Sequence, residues 1–595
     1  MRLKIILFIF ISMWLMLIVR IFYLSVSSNS HYKQLSLNNT IKIEKIAPVR
    51  GEIVDRNGVP IAINKLGFKI KLKPHLLTKK NKALFDEEVD NLLFLFPNLK
   101  KERIIKRYKR KDSFYNHKYI EIIPFISYKE MMPVYSMLNL RKNIKISPAP
   151  KRFYPYQDTS AHIIGYVARA NKKDIVKNPL AELIGYTGKI GLEKYYNSYL
   201  QGEAGYKKVQ VNASNQIIKE ISFEKPNENK KLILNMDIKL QKYIDSLFKD
   251  KSGVVVVMNV DGSILAASSY PTYDLNIFVN GMSYSMYNKL ANSLEHPFTN
   301  KLINGLYPPG STVKIGFGLL YITMKSVGEK WGVYCTSSLP FGGRVFRCWK
   351  KQGHHKTNII KAIRESCDDY FYKGSILIGN KKMSDAMLRY GLGKKTGIDL
   401  PNEFIGVVPS REWKRRKYNR SWNPGETLNT SIGQGDFLVT PIQIAQLTAL
   451  IATGKLPTPH FVKKFDYKTY EITYKDVLTK QEKKKLPIIR KAMYQVCHHK
   501  HGTATHFLNS KIDIAGKTGT AQVIGIKQDI EERTLEHDLE YYKRSHAWFT
   551  TYGPYKNPQY VVLVMVEHGG HGGHAGGAIV SKIYNKLLEL GYIKR

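Results

Sequence analysis

Tyr307-Pro308-Pro309-Gly310-Ser311-Thr312-Val313-Lys314 sets two prolines and a glycine directly before an apolar helical pattern that runs to Met324. Proline is tolerated ahead of a helix but not inside one, so Ser311 is predicted at or near a helix N-terminus. Lys314, three residues on, falls on the same helical face. A serine hydroxyl is a weak nucleophile until its proton is removed, and a nearby lysine does this when burial and the positive helix end favour its free amine. The same helix end favours a developing oxyanion. In a chain with 93 Lys and Arg, a bare Ser-x-x-Lys nonetheless reads first as a helix cap beside a solvated lysine.

Two further strings in a fixed order change that reading. Ser366-Cys367-Asp368 comes next, and Lys517-Thr518-Gly519-Thr520 follows the apolar Ile512-Asp513-Ile514-Ala515 on a predicted strand. A strand lysine beside a threonine hydroxyl can hold a substrate carboxylate, and Gly519 lets that substrate lie close to the backbone. The three strings resemble the Ser-x-x-Lys, Ser-x-Asn and Lys-Thr-Gly set of penicillin-recognising enzymes, a set that serine β-lactamases share. Asp368 stands where that set has asparagine, and an acid cannot donate as an amide does.

Around these motifs strands and helices alternate. A helix from 235–237 to about 248 precedes the apolar strand 253–259, an Asp261-Gly262 turn and a strand over 263–268, a hairpin by its turn chemistry. Helices are predicted over 311–324, 359–376 and 441–453, strands over 511–523, 546–552 and 559–568, and a further helix over 578–590. Helices gathered between flanking strands imply an antiparallel sheet with helical layers. Upstream, residues from about 40 to 230 read as a mixed, largely β unit with Lys-rich helical insertions such as 100–111. Within it, the strand Pro48 to Asp55 ends in an Asn57-Gly58 hairpin turn, and Gly188-Lys189-Ile190-Gly191-Leu192-Glu193 opens an amphipathic helix that ends near Gly202. A chain of 595 residues exceeds one core, so the fold class is multidomain α+β.

Arg2 and Lys4 precede an apolar run from 5 to 26 interrupted only by Arg20, which can snorkel. That run is long enough to span a bilayer, and the basic residues ahead of it place the N-terminus in the cytoplasm and the rest of the chain outside. The competing reading is a signal peptide cleaved near Ser25-Val26-Ser27. The formal charge of +45 would suit an anionic partner, but lysine is spread along the whole chain and neither a zinc finger, a basic zipper nor an RNP-like motif accompanies it. Nucleic acid is therefore excluded as the partner, while an anionic membrane surface is not.

The likeness extends over nearly the whole sequence. Arg50 to Gly58, Gly191-Leu192-Glu193, Tyr307 to Lys314, Ser431-Ile432-Gly433-Gln434-Gly435 and Lys517 to Gln522 resemble class B penicillin-binding proteins, the elongation or rod-shape type above all. The resemblance implies an anchor over 1–30, a non-catalytic pedestal over 31–230 and a transpeptidase domain over 231–595. It implies a single-pass protein of the bacterial inner membrane with its catalytic domain on the outer face. It implies that Ser311 attacks the penultimate D-Ala of a stem peptide, that Lys314 takes its proton, and that Ser366 and Asp368 relay or position protons. Lys517, Thr518 and Thr520 would hold the terminal carboxylate, with Gly519 admitting the substrate and the N–H groups of Ser311 and Thr520 forming the oxyanion hole. β-Lactams would acylate the same serine. A separate membrane glycan polymerase and elongation-complex proteins would be its partners, and no organic cofactor is implied. The readings of other kinds are a septal transpeptidase, a serine β-lactamase or penicillin sensor, and a wall-assembly scaffold.

Of four cysteines, Cys335, Cys348 and Cys367 lie close together, with His354 between the second and third. Three thiolates and an imidazole form a closed tetrahedral zinc set, although these spacings are looser than in fingers. Buried free thiols and a disulfide are the alternatives, and His355 could replace His354. The elongation-type resemblance implies a structural metal here. Three other strings are set aside. Lys395-Thr396-Gly397 repeats the third motif in a loop context, Glu426-Thr427-Leu428-Asn429 is one residue short of a deacylating loop, and the Gly/His run 567–574 reads as a flexible lip of the cleft rather than as a metal site.

Overall fold

The computed structural model describes residues 2–27, 40–212, 217–228, 230–524 and 536–594. These form two compact units, one of Met1–Gly51, Arg169–Thr187 and Gln201–Asn229, the other of Glu52–Ala168, Gly188–Leu200 and Lys230–Arg595. The boundary expected near residue 30 lies outside the described residues.

In the first unit, helix Arg2–Phe22 continues through a π-helical turn, Tyr23–Ser27. Leu3–Val26 has a mean hydropathy of 2.7 and none of it is buried, so by length and composition it can cross a membrane and is compatible with a single-pass anchor. The same unit holds a three-stranded antiparallel sheet in which Gly205–Val211 pairs with Ile41–Ile46 on one side and Ile217–Glu224 on the other.

The second unit is organised around two sheets. The first has six strands and places Lys231–Leu234 between Glu52–Val54, which it meets in parallel, and Val462–Phe465, which it meets antiparallel. The boundary expected at 230 thus falls directly before a strand that pairs on both sides. Asp55 fastens the same junction. Its Oδ1 accepts the N–H groups of Asn57 and Val59 at 2.8 Å, closing the hairpin turn, and its Oδ2 accepts Ile238 N at 3.3 Å at the start of helix Ile238–Phe248. Glu193, of the Gly191-Leu192-Glu193 string, is fully buried and pairs with Arg152 Nε at 2.7 Å while accepting from Tyr154 Oη. The helix expected from 191 to 202 is two short helices, Gly191–Tyr195 and Asn197–Leu200. A separate apolar core under the sheet Ile120–Ser127, Gly67–Leu72 and Ile144–Pro148 is closed by helices Lys82–Leu95 and Lys101–Lys111.

The second sheet is antiparallel throughout, in the order Ile264–Tyr270, Gly253–Asn259, Tyr560–Val566, His546–Gly553, Ala515–Ala521. Its strands Gly253–Asn259 and Tyr560–Val566 are near-continuous apolar runs rather than alternating ones because helices cover both faces. Thr550 points to one face, sharing a 2.7 Å hydrogen bond with Thr448 of helix Pro441–Thr453. Thr551 points to the other, donating to Tyr584 of helix Gly572–Glu589. Helix Pro441–Thr453 is buried along almost its whole length; Gln443 Oε1 accepts Thr440 N at 3.1 Å at its start, Pro441 sits in its first turn and Gly454 is in the left-handed region at its end.

Three element boundaries differ from the sequence reading. Residues 359–376 are two helices, Ile359–Arg364 and Asp368–Ile378, broken at Ser366, whose φ is +56°. The Ser311 turn Gly310–Val313 is 3₁₀ before helix Lys314–Thr323 begins. The glycine run after His571 is the first turn of a helix rather than a loose lip, because its glycines admit close packing: a Cβ on Gly572 would sit 2.1 Å from Trp548 O and one on Gly576 2.9 Å from Phe549 Cβ.

Candidate active site

The turn that carries Ser311 is held where three backbone segments cross. Gly310 has φ +53°, and a Cβ there would lie 2.7 Å from Thr520 O. Gly433 has φ +71°, and its Cβ would lie 2.3 Å from Gly310 O, so only glycine fits either position. Gly310 N donates to Gly433 O at 2.9 Å, and Gln434 Nε2 donates to Thr520 O at 3.1 Å. The Ser431-to-Gly435 string is therefore the buttress between the Ser311 turn and strand Ala515–Ala521. Tyr307 extends the clamp: its N donates to Val439 O, and its hydroxyl donates at 2.6 Å to Glu567, which is paired with the buried Lys301.

Ser311 is half-buried at this crossing, and the 3₁₀ turn that holds it brings residues i and i+3 into line, so Lys314 follows on its face. Lys314 is fully buried. Its Nζ donates to Asp368 Oδ1 at 2.6 Å, Ser366 O at 3.1 Å and Ser366 Oγ at 3.4 Å, and lies 5.3 Å from the centre of the Phe371 ring. From the strand, Lys517 Nζ donates to the same Ser366 Oγ at 3.0 Å and to Thr518 O at 2.8 Å. The break at Ser366 is what lets one hydroxyl face both lysines. Burial pushes Lys517 well below the usual lysine range, the Lys314 charge adds to this, and Asp368 opposes it. Asp368 is itself raised by burial against the pull of Lys314. Two buried lysines thus converge on one serine hydroxyl, with Asp368 bonded to Lys314 alone.

Every motif residue singled out in the sequence converges here. Thr518 is buried and Thr520 half-buried along strand Ala515–Ala521, and Gly519 packs against Thr312 and Trp548, so close that a Cβ would lie 2.8 Å from Thr312 Cγ2. Sequence reading missed Thr503, whose Oγ1 shares a 2.7 Å hydrogen bond with Thr518 Oγ1. The only signal was its place in a loop shortly before the strand.

Beside the second motif, the ligating atoms of Cys335, Cys348, His354 and Cys367 all lie within 4.8 Å of one another, and all four residues are buried. His354 Nδ1 is 3.7 Å from Cys335 Sγ and 3.4 Å from Cys348 Sγ. His355 is exposed and faces Tyr334, so His354 is the imidazole of the set. The cysteines are free thiols rather than a disulfide. Cys348 and Cys367 hold the Cys335 thiol down to about 3, and Cys367 is pushed up in return, chiefly by Cys335 and Cys348. The cluster touches the second motif directly, because Asp368 N donates to Cys348 Sγ at 3.3 Å and Trp349 N donates to Asp368 Oδ2 at 3.1 Å. The strings set aside have structural explanations. Thr396 donates through N and Oγ1 to Glu403, and Glu426 caps its helix and pairs with Lys414.

The sequence matches the penicillin binding protein transpeptidase domain over residues 253–589 and the penicillin-binding protein dimerisation domain over 45–234. It is 33% identical to the peptidoglycan D,D-transpeptidase MrdA of Haemophilus influenzae, over 96% of this chain and 89% of that protein. Among solved structures it is similar to the penicillin-binding protein PBP2 in complex with MreC from Helicobacter pylori, with a TM-score of 0.85, 42% identity, and coverage of 93% of this chain and 99% of that one. It is also similar to a chain from a structure described as the coordination of polymerisation and crosslinking by a peptidoglycan synthase complex, with a TM-score of 0.71, 25% identity, and coverage of 100% and 99%.

Proposed function

This chain belongs to the class B penicillin-binding proteins of the elongation type and is a peptidoglycan D,D-transpeptidase, and from that premise we propose the following division of labour in its site. Ser311 Oγ attacks the carbonyl of the penultimate D-Ala; the new C–O bond forms as its proton passes to Lys314, and the peptide C–N bond breaks as that proton reaches the departing D-Ala amine. The acceptor amine then attacks the ester, loses its proton to Lys314 and returns the Ser311 hydroxyl. Ser366, between Lys314 and Lys517, is the natural relay. Asp368 acts as a positioning residue in place of the amide of related sites: it holds Lys314 Nζ at 2.6 Å and balances the charge that Lys314 gains on taking the serine proton. Thr518, Thr520 and Lys517 take the substrate carboxylate, and the N–H groups of Ser311 and Thr520 face the oxyanion, each such donor contributing about 3 kcal/mol in comparable sites.

One observation carries this reading: a fully buried Lys314 and a fully buried Lys517 meet on a single serine hydroxyl beside the Ser311 turn. Peptide mapping by mass spectrometry after treatment with penicillin tests it. An adduct on Ser311 is expected, and an adduct elsewhere would overturn the assignment.

Residues 31–230 serve as the pedestal and 231–595 as the transpeptidase domain, and the apolar helix anchors the chain in the inner membrane with the site on its outer face. A separate glycan polymerase and further elongation proteins are its partners, a reading supported by the MreC complex and the peptidoglycan synthase complex among the similar structures. Cys335, Cys348, His354 and Cys367 would hold a structural zinc. Bond lengths of about 2.3 Å to sulfur and 2.1 Å to nitrogen put tetrahedral S and N ligands about 3.6 Å apart, matching the 3.7 and 3.4 Å separations. Such an ion would brace the segment carrying Ser366 and Asp368.

A further inference from the structure

The chain's basicity is lysine basicity, with 71 lysines and 22 arginines, yet four of those arginines, Arg411, Arg415, Arg416 and Arg420, fall within ten positions. A general compositional bias toward lysine does not produce that cluster. Helix Arg411–Tyr418 is capped by Ser410, whose Oγ accepts Trp413 N at 3.1 Å, and it ends at Asn419, whose φ of +51° turns the chain back. The returning residues Arg420, Ser421 and Trp422 line a groove of about 450 Å³ together with Arg411, Arg415 and Asn419. Among the described residues no carboxylate forms an ion pair with Arg411, Arg415 or Arg420; the nearby Glu426 is taken by Lys414 and by Asn423 N. The Trp422 indole is fixed by its Nε1 donating to Thr427 Oγ1 at 2.9 Å.

Arginine's planar fork grips carboxylates in pairs and is weakly hydrated, which makes exposed arginines beside an aromatic wall a better anion trap than the chain's scattered lysines. The groove is tied to the reaction by the chain itself. Helix Pro424–Ser431 starts at its wall and leads straight to Gly433 and Gln434, which touch Gly310 and Thr520. Eight helical residues span about 12 Å, and an extended peptide of about five residues spans roughly 17 Å. An extended side peptide of that length is therefore longer than the helix that links the groove to the Gly433–Gln434 buttress.

We propose that this arginine–tryptophan groove is an outlying substrate subsite that grips the carboxylate-bearing glycan-peptide strand away from the reacting dipeptide. The proposal rests on the transpeptidase reading above. Charge complementarity names the occupant, since the substrate strand carries free carboxylates along its length and the three unpaired guanidiniums present the opposite sign.

The test uses the full chain in detergent, as wild type, as the Arg411→Gln/Arg415→Gln/Arg420→Gln variant and as Arg415→Glu. Soluble uncross-linked peptidoglycan strands and vesicles containing phosphatidylglycerol are the two binding probes, each titrated at several salt concentrations. The triple variant is expected to bind strands at least about tenfold more weakly with a shallower salt dependence, to bind vesicles unchanged, and to be acylated by labelled penicillin within about twofold of wild type, since all three arginines are exposed. Arg415→Glu should weaken strand binding in the same direction. Unchanged strand affinity would overturn the proposal, and so would an equal loss toward strands and vesicles, which would make the patch a membrane contact. Absence of a penicillin adduct on wild-type Ser311 would instead sink the serine mechanism, leaving strand affinity as the separate judge of the groove.

Discussion

Replacing Thr503 by valine removes one hydroxyl and keeps the side chain's shape, so it isolates the 2.7 Å hydrogen bond to Thr518. Thr518 is buried on the strand proposed to hold the substrate carboxylate, and its hydroxyl must point one way to donate to that carboxylate. A protein hydrogen bond of this kind contributes about 0.5–1.5 kcal/mol net, so Thr503→Val should lower the second-order rate of acylation by a carboxylate-bearing penicillin about fivefold. Thr503→Ser, which restores the hydroxyl, should recover most of that loss, and the melting temperature should scarcely move. Stopped-flow acylation of Thr503→Val, Thr518→Val and the double variant gives the coupling directly. The double variant should be no slower than Thr518→Val alone. Additive effects, or a loss below about twofold in Thr503→Val, would show that the contact does not orient the carboxylate site.

Gly433→Ala sets a Cβ 2.3 Å from Gly310 O at a φ of +71°, whereas Gly435→Ala, at φ +73°, meets nothing closer than 3.7 Å. The second should cost only the left-handed penalty of about 1–2 kcal/mol, while the first should melt at a clearly lower temperature and lose acylation; equal melting temperatures would refute the crossing described at Gly310. His162 is fully buried, donates through Nε2 to Pro297 O at 2.5 Å, and is lowered by burial to about 4. Its folded pKa lies below the unfolded value of about 6.5, so stability is complete above pH 6.5, falls as the pH drops from there toward 4, and levels off below, with a loss of roughly 3 kcal/mol; chemical denaturation of His162→Gln should show a flatter profile across that window. Purified protein should contain one zinc per chain, and Cys348→Ser should lose it together with thermal stability. A metal-free wild type, or a Cys348→Ser chain of normal stability, would remove zinc from the account.

Much of this site could be read from spacing, because Ser311, Lys314, Ser366, Asp368, Lys517 and Thr518 are local strings with a known chemical grammar. What spacing could not supply was their mutual orientation. That Asp368 pairs with Lys314, and that Ser366 sits at a positive φ between two lysines, depends on a helix break that the apolar periodicity of 359–376 conceals. Thr503 was silent because no local pattern ties a loop threonine to Thr518, and Glu567 because it acts on Tyr307, which is distant in sequence. The run 567–574 misled from Gly572 onward for a physical reason: glycine signals flexibility in isolation, but here it permits a helix to pack directly on strand backbone. The strands 253–259 and 559–568 were legible by their length and valine content, while their order in the sheet, with the later strand beside the earlier, is a long-range pairing that no local signal reports.

That pairing also sets a timetable for the newborn chain. Val254 finds its partner Met565 about 300 residues further along the chain, and at synthesis rates of roughly 5–20 residues per second the apolar hairpin Gly253–Tyr270 waits on the order of 15–60 s for its neighbour. Throughout that interval one edge of a valine-rich strand is open to other chains, an aggregation hazard that grows with any slowing of translation. The strand of Lys517 is in the same position, since Ala515–Ala521 pairs with His546–Gly553 and only the arrival of Tyr560–Val566 joins both to the early hairpin. The Ser311 turn therefore emerges long before its sheet is complete, and a chain stalled before residue 560 would carry every motif but lack the strand that joins its sheet.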